Sequence, residues 1–163
     1  MKTLIIVRHA KSDWSNTDLN DFERNLNAKG MQDAPKIAEL IATKIDKVDK
    51  IISSPATRAL TTAKIFAKAF NYNENNIEKD LGFYERGVKY IKKILISQKK
   101  DDDVIIIFGH NPTATSLVTY FTGESISELP TCSVACIDFD TDNWLSIDQT
   151  NGKLRFFESP AKE

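Results

Sequence analysis

Arg8 and His9, Arg58, and His110 lie far apart along the chain, yet each follows an apolar run of strand character directly or within a few residues. Leu4-Ile5-Ile6-Val7 precedes Arg8-His9-Ala10-Lys11-Ser12, Ile51-Ile52-Ser53-Ser54 precedes Pro55-Ala56-Thr57-Arg58, and residues 104–108 precede Gly109-His110-Asn111-Pro112. The chemistry these side chains share is the handling of a phosphoryl group. A dianion needs fixed positive charge, which arginine offers as a planar bidentate fork. An imidazole with the ordinary pKa of roughly 6.5 is mostly neutral at pH 7, with a lone pair able to attack phosphorus. His9 is the candidate nucleophile, and its other ring nitrogen is expected to donate to a carbonyl that sets the tautomer. Phosphoryl transfer passes through a loose transition state with charge spread over the equatorial oxygens, so positioning and electrostatics carry most of the work. Arg8, Arg58 and His110 would supply that field.

Convergence requires the three runs to be neighbouring parallel strands, because open α/β sheets hold ligands beyond the carboxyl ends of such strands. The chain alternates strand and helix for about two-thirds of its length. Asn27 is placed to cap a helix whose buried face is Met31, Ala34, Ala38, Ile41 and Ile45, with Pro35 kinking it or marking a late start. Ser54 reads as an N-cap with Pro55 at the first helical position, which puts Arg58 in the first turn at the positive end of the dipole. Ala59, Ala63, Phe66, Ala67 and Phe70 would form that helix's core face. A short strand at residues 77–81 and a helix at 84–97 precede the third motif. After it, a helix runs to about Phe121 with Gly123 just past its end. Strands follow at 133–139, 143–147 and 153–157, joined by hairpin turns at Asp140-Thr141-Asp142 and Asn151-Gly152. The fold class expected is α/β, a three-layer α/β/α sandwich on a mixed, mostly parallel sheet with antiparallel C-terminal strands.

At 163 residues and 41% hydrophobic content, the chain suits one domain spanning 1–163, which at this size buries roughly 70% of its unfolded surface. The 22 basic and 23 acidic residues give a net charge of −1, so no global field favours nucleic acid. The opening strand lacks the pattern of a signal peptide, and no window approaches the roughly 20 apolar residues of a membrane helix. Cys132 and Cys136 stand too far apart along a strand to bridge and are read as reduced packing residues. A cytoplasmic location is expected, with no membrane or nucleic-acid partner.

The Arg-His pair after the first strand, the segment from Ser53 to Ala59 and Gly109-His110-Asn111-Pro112 together resemble the histidine phosphatase superfamily. Within it the chain is most similar to the SixA-like phosphohistidine phosphatases, through Arg8-His9-Ala10-Lys11-Ser12, Asp21-Phe22-Glu23-Arg24, Leu26-Asn27, Gly30, Asp33-Ala34-Pro35 and Leu129-Pro130-Thr131. The resemblance implies a phosphoglycerate mutase-like fold, a phosphohistidine intermediate on His9, an anion pocket from Arg8, Arg58 and His110, and no metal or other cofactor. It implies as substrate a phosphorylated protein such as a phosphorelay or carrier domain. A phosphatase of small phosphate esters and a non-catalytic phosphate-binding module are the alternatives.

Around the four central residues, Lys11, Ser12, Arg24 and Glu85 are candidates for substrate contact, with Arg24 equally able to tie its loop down through an ion pair. Trp14, Phe22, Phe83 and Tyr84 are candidates for the pocket wall. Glu85 is the better guess than Asp80 for a leaving-group acid, a role a labile N–P bond makes less necessary. The polar segment over residues 11–25 borders the site and is the element that could close on substrate.

Overall fold

The computed structural model describes residues 1–161. Six strands, β1 (Lys2–Arg8), β2 (Lys50–Ser53), β3 (Glu78–Lys79), β4 (Val104–Gly109), β5 (Val134–Phe139) and β6 (Gly152–Glu158), form one sheet in the order β3-β2-β4-β1-β5-β6. The first four are mutually parallel where they pair, while β5 and β6 run antiparallel. This is the mixed sheet expected, with β4 inserted between the first two strands of the chain.

The apolar runs alternate side chains to both faces. Ile5, Val7, Ile51, Ile106 and Phe108 point into one core with α1 (Ala28–Lys44) and α2 (Thr57–Ala69). Leu4, Ile6, Ile52, Ile105 and Ile107 point into the other, with α3 (Gly82–Glu85), α4 (Val88–Ile96) and α5 (Thr113–Thr122). Covered on both sides, these strands need no polar face, which is why they read as unbroken apolar runs.

Asn27 caps α1 as expected, its side chain accepting the Gly30 amide. The helix passes through Pro35 from a start at Ala28, and Met31 is exposed where a buried residue was expected. Ser54 does not cap α2. Its hydroxyl accepts the Ala56 amide and meets the His110 ring, so Pro55 precedes the helix, which begins at Thr57 with no side-chain cap. The helix expected over 84–97 is broken at Arg86 and Gly87 into α3 and α4. Gly123 ends α5 in the left-handed region, at φ 74°.

The expected strand over 143–147 is instead a 3₁₀ turn, Trp144–Ser146, because Asn143 folds its side chain onto the Leu145 amide. That turn drives Trp144 fully into the core, its indole N–H donating to the Asp102 carbonyl. β5 therefore pairs directly with β6 across one longer connection. Cys132 and Cys136 are free and buried in the same core, and burial pushes both thiols up to about 12, so they stay protonated. No helix among the described residues is long and apolar enough to cross a membrane.

One close approach ties α1 to the site. Gly30 packs on the Lys11 backbone so tightly that an added Cβ would overlap the Lys11 carbonyl, which also accepts the Asn27 amide. Gly30→Ala is expected to destabilise the fold by about 1–3 kcal/mol, read as a lowered urea midpoint. An unchanged midpoint would show that the backbone after His9 tolerates displacement.

Candidate active site

Register brings the motifs together. Arg8 pairs with Gly109, and Ser53 pairs with Phe108, so β2, β4 and β1 end on one line. The next residues continue the pairing: the His9 amide donates to the Gly109 carbonyl and the Ser54 amide to the Phe108 carbonyl. The site thus sits where chain order and strand order diverge, since β4 lies between β1 and β2.

A cavity of about 350 Å³ opens there, lined in part by Arg8, His9, Asp21, Arg24, Arg58 and His110. Lys11, Ser12 and Trp14 also border it. The four central residues and three of the four candidate contact residues are therefore gathered in one place. Glu85 is not: it lies exposed at the end of α3 and does not line the cavity. Asp80 is likewise occupied elsewhere, accepting from the Gly82 amide and the Tyr90 hydroxyl.

His9 is buried and oriented by its own loop. Nδ1 lies 2.7 Å from the Ala10 carbonyl, an acceptor only, so Nδ1 carries the hydrogen and Nε2 keeps its lone pair. The Ala10 peptide is held in turn by Thr62 of α2, whose hydroxyl accepts the Ala10 amide and donates to the Arg58 carbonyl. Arg58 Nε donates to the lone pair of His9 Nε2 at 3.3 Å. The His110 ring packs 5.2 Å from that of His9, its Nε2 2.8 Å from Ser54 Oγ. Arg8 Nη1 donates to the Leu129 carbonyl at 2.7 Å. Among the described residues, two buried side-chain polar atoms have no hydrogen-bond partner, Arg8 Nε and His110 Nδ1, and both belong to this site.

Asp21 belongs to one of the motifs that carry the resemblance, but nothing in the sequence marks its role. Its carboxylate accepts from Arg58 Nη2 at 2.9 Å, Arg24 Nη2 at 2.9 Å and the Tyr84 hydroxyl at 2.8 Å, and its carbonyl accepts from Arg58 Nη1 at 2.6 Å. Partial burial works against its charge, but those hydrogen bonds win and hold the carboxyl well below the usual carboxylate range. Arg24 also donates to Ser12 Oγ at 2.6 Å and stacks 3.3 Å over the exposed Trp14 ring. The polar segment of residues 11–25 is therefore tied onto the site through ion pairs. Phe22 packs edge-on to Tyr84, and Phe83 lies in the core beneath His110.

Burial, opposed by the Ala10 hydrogen bond and reinforced by Arg58 and Arg8, lowers the His9 pKa to about 4. Burial, with His9 and Arg58 nearby, lowers His110 to about 3. Both rings are therefore expected to remain neutral at pH 5, where a free imidazole is mostly charged. The unfolded chain takes up these protons from about pH 6.5 downward and the folded chain does not. This contribution to stability is complete above pH 6.5 and is lost as pH falls through about 4 for His9 and about 3 for His110. Imidazole nitrogen NMR checks this directly, as the chain has only two histidines. Either ring titrating near 6.5 would contradict it.

The model of the histidine phosphatase superfamily (branch 1) matches residues 4–88. An uncharacterized chloroplastic protein of Arabidopsis thaliana is 28% identical over 151 residues, covering 88% of this chain and 69% of its own. A 2,3-bisphosphoglycerate-dependent phosphoglycerate mutase of Caulobacter vibrioides is 28% identical over 113 residues, 66% of this chain, and the match spans 48% of the mutase. Among solved structures, the candidate phosphohistidine phosphatase SixA of Agrobacterium tumefaciens superposes with a TM-score of 0.82 at 26% identity, covering 98% of this chain and 99% of that one.

Proposed function

We propose that this chain, which belongs to the histidine phosphatase superfamily and is SixA-like in structure, is a phosphatase that uses His9 as nucleophile and takes phosphohistidine on a protein as its substrate. The observation that carries the reading is the state of His9. Its tautomer is set by Ala10, burial keeps it neutral, and its lone-pair nitrogen faces the Arg58 guanidinium.

The substrate phosphoryl group enters between Arg8, Arg58 and His110. His9 Nε2 attacks phosphorus in line, forming an N–P bond as the bond to the substrate imidazole breaks, and that imidazole leaves as the neutral ring, its hydrogen on the nitrogen that was never bonded to phosphorus. Water then attacks phosphorus, the bond to Nε2 breaks, and inorganic phosphate departs with His9 neutral again. With the Ser54 hydroxyl donating to His110 Nε2, Nδ1 of that ring would carry the hydrogen and be free to donate to a phosphoryl oxygen. A phosphohistidine already protonated on its other ring nitrogen expels a neutral imidazole and needs no carboxylic acid from the protein, in keeping with Glu85 and Asp80 both lying outside the cavity.

Rapid-quench trapping with a radiolabelled phosphohistidine protein in metal-free buffer tests the reading. Acid-labile, alkali-stable label on the enzyme, decaying at the rate phosphate appears, is the expected result. Phosphate released with no labelled enzyme would exclude the covalent route, and turnover of simple esters alone would move the substrate class to small phosphate esters.

A further inference from the structure

On the far side of Arg8 lies a second cavity, about 410 Å³, walled by Arg8, Asn111, Pro112, Thr115, Ser116 and Glu128. It shares Arg8 and Asn111 with the catalytic cavity, so one guanidinium borders both spaces. A phosphoryl group occupies only a fraction of the inner cavity, and whatever carries that group must extend beyond it.

The outer wall is a constructed feature. The Leu129 carbonyl accepts from Arg8 Nη1 at 2.7 Å and from Asn111 Nδ2 at 2.9 Å. The Leu129 amide donates to Thr115 Oγ1 at 2.9 Å, and that hydroxyl donates to Asn111 Oδ1 at 2.9 Å. This ring of bonds pins the backbone next to Glu128 against α5. The Glu128 carboxylate is held at the mouth, 3.7 Å from Arg8 Nη1 and 3.4 Å from Asn111 Nδ2, with its side chain 71% exposed. An ion pair that long and that exposed is weak, so the carboxylate keeps its capacity to receive a ligand.

Resting on the phosphatase reading above, we infer that this outer cavity is the subsite for the phosphoryl carrier, and that Glu128 selects carriers with a cationic or N–H-donating end. A bound molecule would be negative where it meets Arg8 and Arg58, and positive or hydrogen-bond-donating where it meets Glu128, Thr115 and Ser116. A protonated imidazole or an ammonium group meets that requirement. A carrier bearing a carboxylate or a second phosphate sets like charges together and is rejected.

The test uses three probes: inorganic phosphate, which fills the inner site alone, phosphoethanolamine with its cationic tail, and 3-phosphoglycerate with its anionic tail. Binding is measured by calorimetry in a His9→Ala background, where turnover does not interfere, with phosphate also titrated into the native protein. Phosphoethanolamine is expected to bind more tightly than 3-phosphoglycerate by about tenfold or more. Glu128→Gln should erase most of that preference and Glu128→Lys should reverse it, while phosphate affinity changes less than the ratio does. A ratio unchanged within about twofold in both variants, with phosphate still bound, would overturn the subsite and leave the phosphatase reading standing. Native protein that fails to bind phosphate would overturn the inner site and the subsite with it.

Discussion

Replacing His9 with alanine is expected to remove the labelled enzyme intermediate entirely and to lower kcat/KM by about 10⁴-fold or more. The size of the effect follows from the surroundings of the ring. Ala10 and Thr62 fix it, burial keeps it neutral, and no second side chain in the cavity offers a comparable lone pair. His110 lies within ring-stacking distance but has Nε2 engaged with Ser54 and a different position on its own strand end, so it is not expected to substitute. Steady-state release of phosphate, measured beside the quench experiment, decides the matter. A His9→Ala protein that releases phosphate at the native rate would refute the assignment.

Arg58→Ala is expected to cost about 10²- to 10³-fold in kcat/KM, and Arg58→Lys is expected to restore little of it. All three nitrogens of this guanidinium are placed: Nε toward His9, Nη1 on the Asp21 carbonyl and Nη2 on the Asp21 carboxylate. A lysine ammonium supplies charge without the planar fork, so it cannot face the nucleophile and hold the Asp21 turn at once. Loss of the arginine also leaves Asp21 to Arg24 and Tyr84 alone, which loosens the segment that borders the cavity. Steady-state kinetics on both variants test this, and recovery of native kcat/KM by lysine would mean that charge alone suffices.

Local sequence carried the strands and most helices because their signals are local: unbroken apolar runs, Asn27 before α1, Gly123 after α5. The errors fell where a side chain had two possible partners. Ser54 and Asn143 are both good capping residues, but Ser54 turned to His110 and left α2 to start at Thr57, while Asn143 capped a 3₁₀ turn where a strand was expected. Met31 followed the apolar spacing of α1 yet lies on its solvent side, since spacing fixes a stripe and not how much of it the sheet covers.

Arg8, His9, Arg58 and His110 could be singled out because each follows a strand or opens a helix in a motif of distinctive composition, and the resemblance to a family rested on those same residues. Asp21 and Asn111 stood inside the motifs without an assigned role, and Thr62 and Glu128 stood in none. An aspartate in a polar loop or a threonine in a helix has no local mark of what it touches, and their partners lie far away in the chain. Residue type and local order determined which groups could do chemistry. The tertiary structure alone decided, by inserting β4 between β1 and β2 and folding the Asp21 turn onto Arg58, which of them share a cavity, because hydrogen bonding and charge act over a few ångströms while sequence separation says nothing about distance.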